Sequence, residues 1–388
     1  MKKKSTFLKL GKHPISNRFR SKKNFKEKLY PFILKETKDR LITFKKNIRY
    51  EDLIPKLSWV TYSEPEDHLD GIKKILLKKY IKKINTTIGA ISFKDDSFIE
   101  RFSKLGFKTW RIDAVQDLKA KKNSGVESIQ FLLDLNKSKK IAKKYGKADL
   151  LIVRHIWEHT YNQNMFAKSI KNLIKDDGLI LIEVPDYQKS INKLDYTMIW
   201  EEHLFYYTKE TFINSINENN FKLLQTIKIK YPSEDVLIGI IKKSYKKNKN
   251  IKKNISRKII HDNKNYFKNF QTIKKLINKK ISNLNLDGKI VMFGAGHNAV
   301  AFISFFNIKK NISYVIDDNK KKQGYYMPNS NIKIISSKNI DFTEISTIVI
   351  SANQMHEKKI NNKLRKELKY KGKIFSIFST SKNFILKK

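Results

Sequence analysis

Two hydrophobic periods alternate along this chain. Residues 150–153 form a short continuous apolar run that ends on a polar cluster, Arg154, His155, Glu158 and His159. The period then changes to that of a helix, with Phe166, Ile170, Leu173 and Ile174 on one face and lysines on the other. Asp177 and Gly178 turn the chain into a second apolar run, residues 179–184, closed by Pro185. Strand, helix and strand at this spacing predict a βαβ unit whose strands are parallel and covered on both faces. Ligands of such sheets sit beyond the carboxyl ends of the strands, where both polar clusters fall.

The same alternation extends to either side. Residues 86–91, 108–113 and 128–132 read as three further strands, with helices over 97–105 and 138–145. A helix over 209–219 and strands over 221–224 and 236–241 complete that sheet. Residues 245–285 are rich in lysine and asparagine, yet apolar positions 255, 259, 266, 270, 273, 277, 281 and 284 keep helical spacing. That predicts a linker helix with one buried stripe. A second α/β unit follows: strand 289–293, Gly294-Ala295-Gly296, a helix, strand 314–316 ending at Asp317, then strands at 347–351 and 374–378 around a helix at 357–369. Pro14, Pro31, Pro55 and Pro65 break the start into short pieces with strands at 32–35 and 40–44. The predicted division is a small domain over 1–70, an α/β domain over 71–244, the linker helix over 245–287 and a second α/β domain over 288–388.

Composition narrows the class. At 388 residues, 40% hydrophobic and 12% aromatic, the chain can bury two or three cores and is not a disordered one. It has no uninterrupted apolar run of about 18 residues and no apolar core in its basic start, so neither a membrane span nor a signal peptide is expected. With no cysteine, disulfides and thiolate metal sites are excluded. A soluble cytoplasmic protein is the expectation. The net charge of +45 points towards polyanions. However, 82 basic residues less 9 arginines leaves 73 lysines, spread along the chain. Readers of phosphate and bases lean on arginine's planar fork. No specific nucleic-acid partner is therefore expected, although small anionic substrates would be drawn in.

Residues 152–160 (IVRHIWEHT), 182–186 (IEVPD) and 197–208 (TMIWEEHLFYYT) carry a resemblance. The first resembles the fourth motif of class I S-adenosylmethionine (SAM) methyltransferases. Together they look like the sugar C-methyltransferase family, which methylates a carbon of a nucleotide-linked keto-deoxysugar. The resemblance covers nearly the whole chain. It implies an α/β fold with a SAM-binding Rossmann-like domain, a second Rossmann-like domain that grips the nucleotide sugar, and a small zinc-binding N-terminal domain. It also implies SAM as cofactor, a nucleotide-sugar substrate from surface-polysaccharide or natural-product biosynthesis, and a monomer or homodimer. The family's cysteines are missing, and residues 35–39 read Lys-Glu-Thr-Lys-Asp. A metal-free remnant, smaller or looser than its relatives, is the expectation there.

Site residues follow from the same resemblance. His203, in the signature Glu202, His203, Leu204 and Tyr206, takes the role of general base, which suits a neutral imidazole facing a C–H made acidic by a neighbouring ketone. Neighbours on an extended loop point apart, so Glu202 would bind a sugar hydroxyl or help carry the proton. His159 and Tyr62 would join the active site, and Tyr206 the substrate. Trp200 stands where relatives often have tyrosine. On the cofactor side, Ser92 replaces a glycine of the first loop and can do so only at negative φ. Asp95 or Asp96 would meet the donor's amino group or sulfonium, or simply cap the next helix. Asp113 would take the ribose, Phe131 the adenine, and His155 would line the same pocket. In the second domain Gly294, Gly296, His297, Asn298, Asp317 and Gln323 would hold the nucleotide sugar, its pyrophosphate at the helix start. A dinucleotide site is the rival reading, but Asn298 and Ala299 stand where its third glycine belongs. A nucleotide-sugar binder that has lost SAM is the alternative function.

Overall fold

The computed structural model describes residues 7–58, 60, 64–81, 85–244 and 255–387. Three strands open the chain: β1 (Phe7–His13), β2 (Tyr30–Glu36) and β3 (Ile42–Phe44). They form an antiparallel sheet. The central domain contributes β4 (Thr87–Ala90), β5 (Lys108–Arg111), β6 (Ala148–Arg154), β7 (Ile174–Asp186), β8 (Phe205–Tyr206), β9 (Phe221–Ile229) and β10 (Asp235–Lys243). Six of these make one sheet in the order β5-β4-β6-β7-β10-β9, parallel except for β10, which runs antiparallel to both neighbours. The seventh, β8, leaves that sheet and pairs with β3.

The second α/β domain contains β11 (Lys289–Phe293), β12 (Tyr314–Ile316), β13 (Lys333–Ile335), β14 (Ile345–Ile350) and β15 (Lys373–Ser376). All pair in parallel in the order β13-β12-β11-β14-β15. Between the two domains runs one helix, Arg257–Leu286, that buries Ile259, Tyr266, Phe267, Phe270, Ile277, Ile281 and Leu284. The predicted stripe is therefore the buried face. No described helix is long and apolar enough to cross a membrane.

Two expectations change. Residues 128–132 are not a strand but part of a helix, Val126–Leu132, so the central sheet has no strand on the far side of β5. Val126, Ile129 and Leu133 are buried at spacings of three and four, which suits a helix and not an alternating strand. The N-terminal segment is also no loose remnant. Leu8, Leu34 and Phe44 share one core with Tyr206, with Phe270 of the long helix and with Phe302 of the second domain. Burial in that common core does the ordering that a metal does in a small isolated domain.

Each α/β sheet reverses its strand order once, between β4 and β6 and between β11 and β14. Crevices beyond the strand ends open at such points. Here residues following strands of both sheets line a single cleft.

Candidate functional site

The cleft encloses about 250 Å³. His155 and Pro185 enter it from the ends of β6 and β7, and Trp200 and His203 from the loop before β8. The second domain supplies His297 and Asn298 after β11, and Asn353 and Met355 after β14. His155 ends its strand in the left-handed region, at φ +49. A residue without glycine's freedom is held there at a cost of about 1–2 kcal/mol. The turn is paid for by a hydrogen bond from its N–H to the Glu183 carbonyl, 2.9 Å.

Beneath the cleft lies a fully buried charge hub. The Glu183 carboxylate accepts from Arg154 Nε at 3.0 Å and His68 Nε2 at 3.1 Å, and meets His155 Nε2 at 2.8 Å. Burial alone would raise this carboxyl, but the Arg154 guanidinium and the two histidines hold it well below the usual carboxylate range. Burial likewise works against a charge on His155, yet Glu64, Glu158 and Glu183 raise it to about 10. His155 is therefore a fixed cation.

His203 is its opposite. Burial takes its imidazole down to about 3; Glu64 opposes the shift, while Lys94, His297 and His155 add to it. The ring packs edge-on against His159 at 4.8 Å and tilted against Trp200 at 5.1 Å. His159 is fully enclosed, and burial with the neighbouring His203 and Lys94 keeps it neutral. Glu64 lines the cleft beside His203 and stays ionised, because its buried partner Lys94 and the cation on His155 outweigh the cost of burial. An imidazolium formed on His203 would have this carboxylate as counter-charge.

A second, smaller cavity of about 190 Å³ lies behind the Lys94–Glu64 pair. Leu57, Val60, Phe93 and Val126 give it apolar walls, and Lys94, Glu127 and Glu202 give it charge. Burial pushes both Glu202 and Glu127 upward, and repulsion by Glu127 adds to the shift of Glu202. A ligand that carries cationic groups and a flat aromatic base fits this lining, since it adds positive charge beside two carboxyls and an aromatic surface against the apolar walls. The loop above it tolerates the loss of glycine. Ser92 sits at φ −137, an extended conformation open to any residue, and forms a capping box with Asp95.

The sequence-predicted set is thus divided. His203, His155, His297 and Asn298 meet in the cleft, and Glu202 faces the other way, into the second cavity. Asp95 is buried and accepts from the N–H groups of Ile91, Ser92 and Arg154, so it braces the loop instead of meeting a ligand. Asp96 pairs with Arg111 at 2.6 Å. Asp113 accepts from Val115 and Gln116 N–H in its own turn. Phe131 is half exposed and stacks on Tyr50 at 4.2 Å. The Tyr206 hydroxyl donates to the Trp200 carbonyl at 2.9 Å and accepts from its N–H, so it fixes the loop before β8 and is not left for substrate.

In the second domain Gly294 adopts φ +111, and a Cβ there would meet Ala352 backbone at 2.5 Å. Asp317 accepts from Ala295 N–H at 2.8 Å and pairs with Lys322 at 3.0 Å, while Gln323 donates to the Asp317 carbonyl. These three hold the glycine turn itself. Gly296 caps the helix that carries His297. Tyr62 lies outside the described residues. Sequence reasoning missed Glu64, Lys94, Glu127 and Glu183 as site residues; Glu183 lies within the 182–186 motif, but only burial beside its partners reveals its role, and no motif marks the other three. Glu158, His159 and His203 bring ligand atoms within 4.8 Å of one another, but the cations on His155 and Lys94 beside them work against a metal ion there.

Comparison with known families assigns both halves of this architecture. Residues 94–226 match a methyltransferase domain, and residues 244–378 match a C-methyltransferase C-terminal domain. No curated protein matches the chain. Among solved structures it is similar to the 1,6-didemethyltoxoflavin-N1-methyltransferase of Burkholderia thailandensis with bound S-adenosylhomocysteine, at 10% identity over 46% of this chain and 79% of that one, TM-score 0.32. It is also similar to the magnesium protoporphyrin IX methyltransferase of Synechocystis, at 10% identity over 45% and 82% of the two chains, TM-score 0.32. A SAM-dependent methyltransferase of Clostridium acetobutylicum gives 12% identity over 45% and 90%, TM-score 0.30. At such values these neighbours say nothing of this chain's substrate.

Proposed function

We propose that this chain, a SAM-dependent methyltransferase with a C-methyltransferase C-terminal domain, methylates a carbon beside the ketone of a nucleotide-linked deoxysugar, with His203 as general base. The observation that carries this reading is the position of His203. It lies in a cleft walled by both α/β domains, next to an ionised carboxylate, with the cation-seeking cavity on the other side of the same loop.

When bound, SAM supplies an electrophilic methyl group, and the smaller cavity with Phe93, Lys94, Glu127 and Glu202 would hold it. The chain's own residues do the rest. A neutral His203 accepts the proton from the carbon next to the ketone, and Glu64 stabilises the imidazolium that results. Enclosure between two domains keeps water from the carbanion and aligns base, carbon and methyl group. The lysine-rich surface favours approach of a nucleotide diphosphate.

His203→Ala tests the assignment. Turnover should fall by at least about a hundredfold, as expected for a lost general base. Calorimetric titration should still show SAM and nucleotide sugar binding. Unchanged turnover in this variant would falsify the role of His203.

A further inference from the structure

His297 has a place that a phosphate grip does not explain. It is the first residue of the helix His297–Phe306, yet its ring turns across the domain boundary and stacks on Trp200, with centroids 4.6 Å apart and planes 14° from parallel. It lines the cleft together with His203. Burial takes it down to about 4, so the ring is neutral at physiological pH. Its Nε2 is enclosed without a hydrogen-bond partner, whereas Nδ1 is not among such enclosed, unpartnered atoms, so we take Nδ1 as the nitrogen that serves the cleft. An enclosed N–H with no acceptor is rarer than an enclosed lone pair, so the favoured tautomer carries its hydrogen on Nδ1.

Removing a proton next to a ketone puts negative charge on the ketone oxygen, and that oxygen needs a donor. Three of the other cleft donors are committed. His155 is directed at Glu183, Glu158 and Glu64. The Asn298 amide donates to the Thr197 carbonyl at 3.2 Å, and the Tyr231 hydroxyl is shared with His68 at 2.7 Å. A neutral imidazole at a helix N-terminus is suited to polarising a carbonyl, because the helix end opposes its protonation and the N–H remains a donor.

We propose that His297 is a second catalytic residue, the electrophile that hydrogen-bonds the ketone oxygen of the substrate while His203 takes the neighbouring proton. The inference rests on the substrate reading above. In this step the C–H bond breaks, its proton goes to His203, and its electron pair moves into the enolate whose oxygen meets the His297 N–H. The two domains then divide the work: the first holds the base and the second holds the electrophile.

Hydrogen exchange at carbon tests this without methyl transfer. The intact protein is incubated in heavy water with a keto-deoxyhexose linked to thymidine diphosphate, and loss of the carbon-bound proton is followed by NMR. Wild type should exchange it. His297→Phe, which keeps the ring stack on Trp200 but has no donor, should exchange about 10²–10³-fold more slowly, the loss typical of one removed oxyanion donor. Its affinity for the nucleotide sugar and its melting temperature should stay near wild type. His297→Gln, which retains an N–H, should recover most of the rate. Exchange at the wild-type rate in His297→Phe overturns the proposal while leaving the substrate reading intact. No exchange by wild type on this and related keto-sugars overturns the substrate reading and this role with it.

Discussion

At the scale of single residues, the cleft gathers histidines that share one chemistry and differ in surroundings. His155 is ringed by Glu64, Glu158 and Glu183 and stays charged, whereas His203 and His297 sit beside cations or apolar rings and stay neutral. Glu183 is the residue on which this contrast depends. Glu183→Gln would leave Arg154 and His155 buried without their carboxylate, and breaking a buried pair in this way costs about 3–5 kcal/mol. Denaturant unfolding should show that loss, and an unchanged midpoint would exclude the hub as a structural element. His13 makes a separate pH prediction. Its ring is buried between Phe32 and Phe305, meets the Leu10 carbonyl at 2.9 Å, and is lowered by burial to about 4. Between the unfolded value near 6.5 and this value the unfolded chain binds a proton that the folded one refuses. Stability should therefore fall as pH drops from about 6.5 to about 4, by up to about 3 kcal/mol from this residue. His13→Phe should flatten that part of the stability profile, and a profile as steep as wild type would assign the acid sensitivity elsewhere.

At the scale of elements, the long helix and the glycine turn after β11 set where the two domains meet. The helix Arg257–Leu286 keeps Phe270 nearly inaccessible and Leu276 half exposed. Phe270→Ala should cost about 3–5 kcal/mol, the usual range for an aromatic lost from a core. Leu276→Ala should change stability by no more than about 0.5 kcal/mol, as at other exposed positions. Equal losses at both would mean that the helix does not bury this face. Gly294→Ala tests the turn: a left-handed φ and the close Ala352 backbone both resist a methyl group. The variant should melt lower than wild type, and because the same turn leads into His297, its turnover should fall as well. The elements themselves were largely legible. The βαβ unit from 148 to 186, the helix stripe and the turn at Gly294 all follow from local period and turn chemistry. The segment at Val126–Leu132 was misread because its β-branched and aromatic residues suggest a strand, while its spacing of buried positions is helical.

At the scale of the molecule, one hydrophobic core joins the N-terminal sheet, the loop before β8, the long helix and the second domain. The buried Glu201 carboxylate ties that loop to the N-terminal segment by accepting from the Ser16 hydroxyl at 3.0 Å. The loop that carries His203 is thus clamped from both sides, which suits the proposed division of base and electrophile between the two domains. The net charge of +45 acts at this scale too. Attraction of a diphosphate through such a field is screened within about 10 Å at 0.1 M salt. The apparent KM for a nucleotide sugar should therefore rise several-fold between low and high salt while kcat changes little. A KM independent of ionic strength would show that the lysines are only solvated surface.

Local pattern alone decided the order and type of most elements and the placing of His155 and His159 after a strand end, because hydrophobic period and turn residues act over a few positions. Which charges are buried together was decided only by the folded chain. Glu64, Lys94 and Glu183 come from three separated segments, and nothing in their own neighbourhoods records that Glu64 pairs with Lys94 or that Glu64 and Glu183 both face His155. The same holds for His297, whose motif indicates a phosphate-binding turn. Its ring stacks on Trp200 and shares a cleft with His203 because two sheets direct their strand ends into one place, a relation between distant segments that spacing along the sequence does not carry.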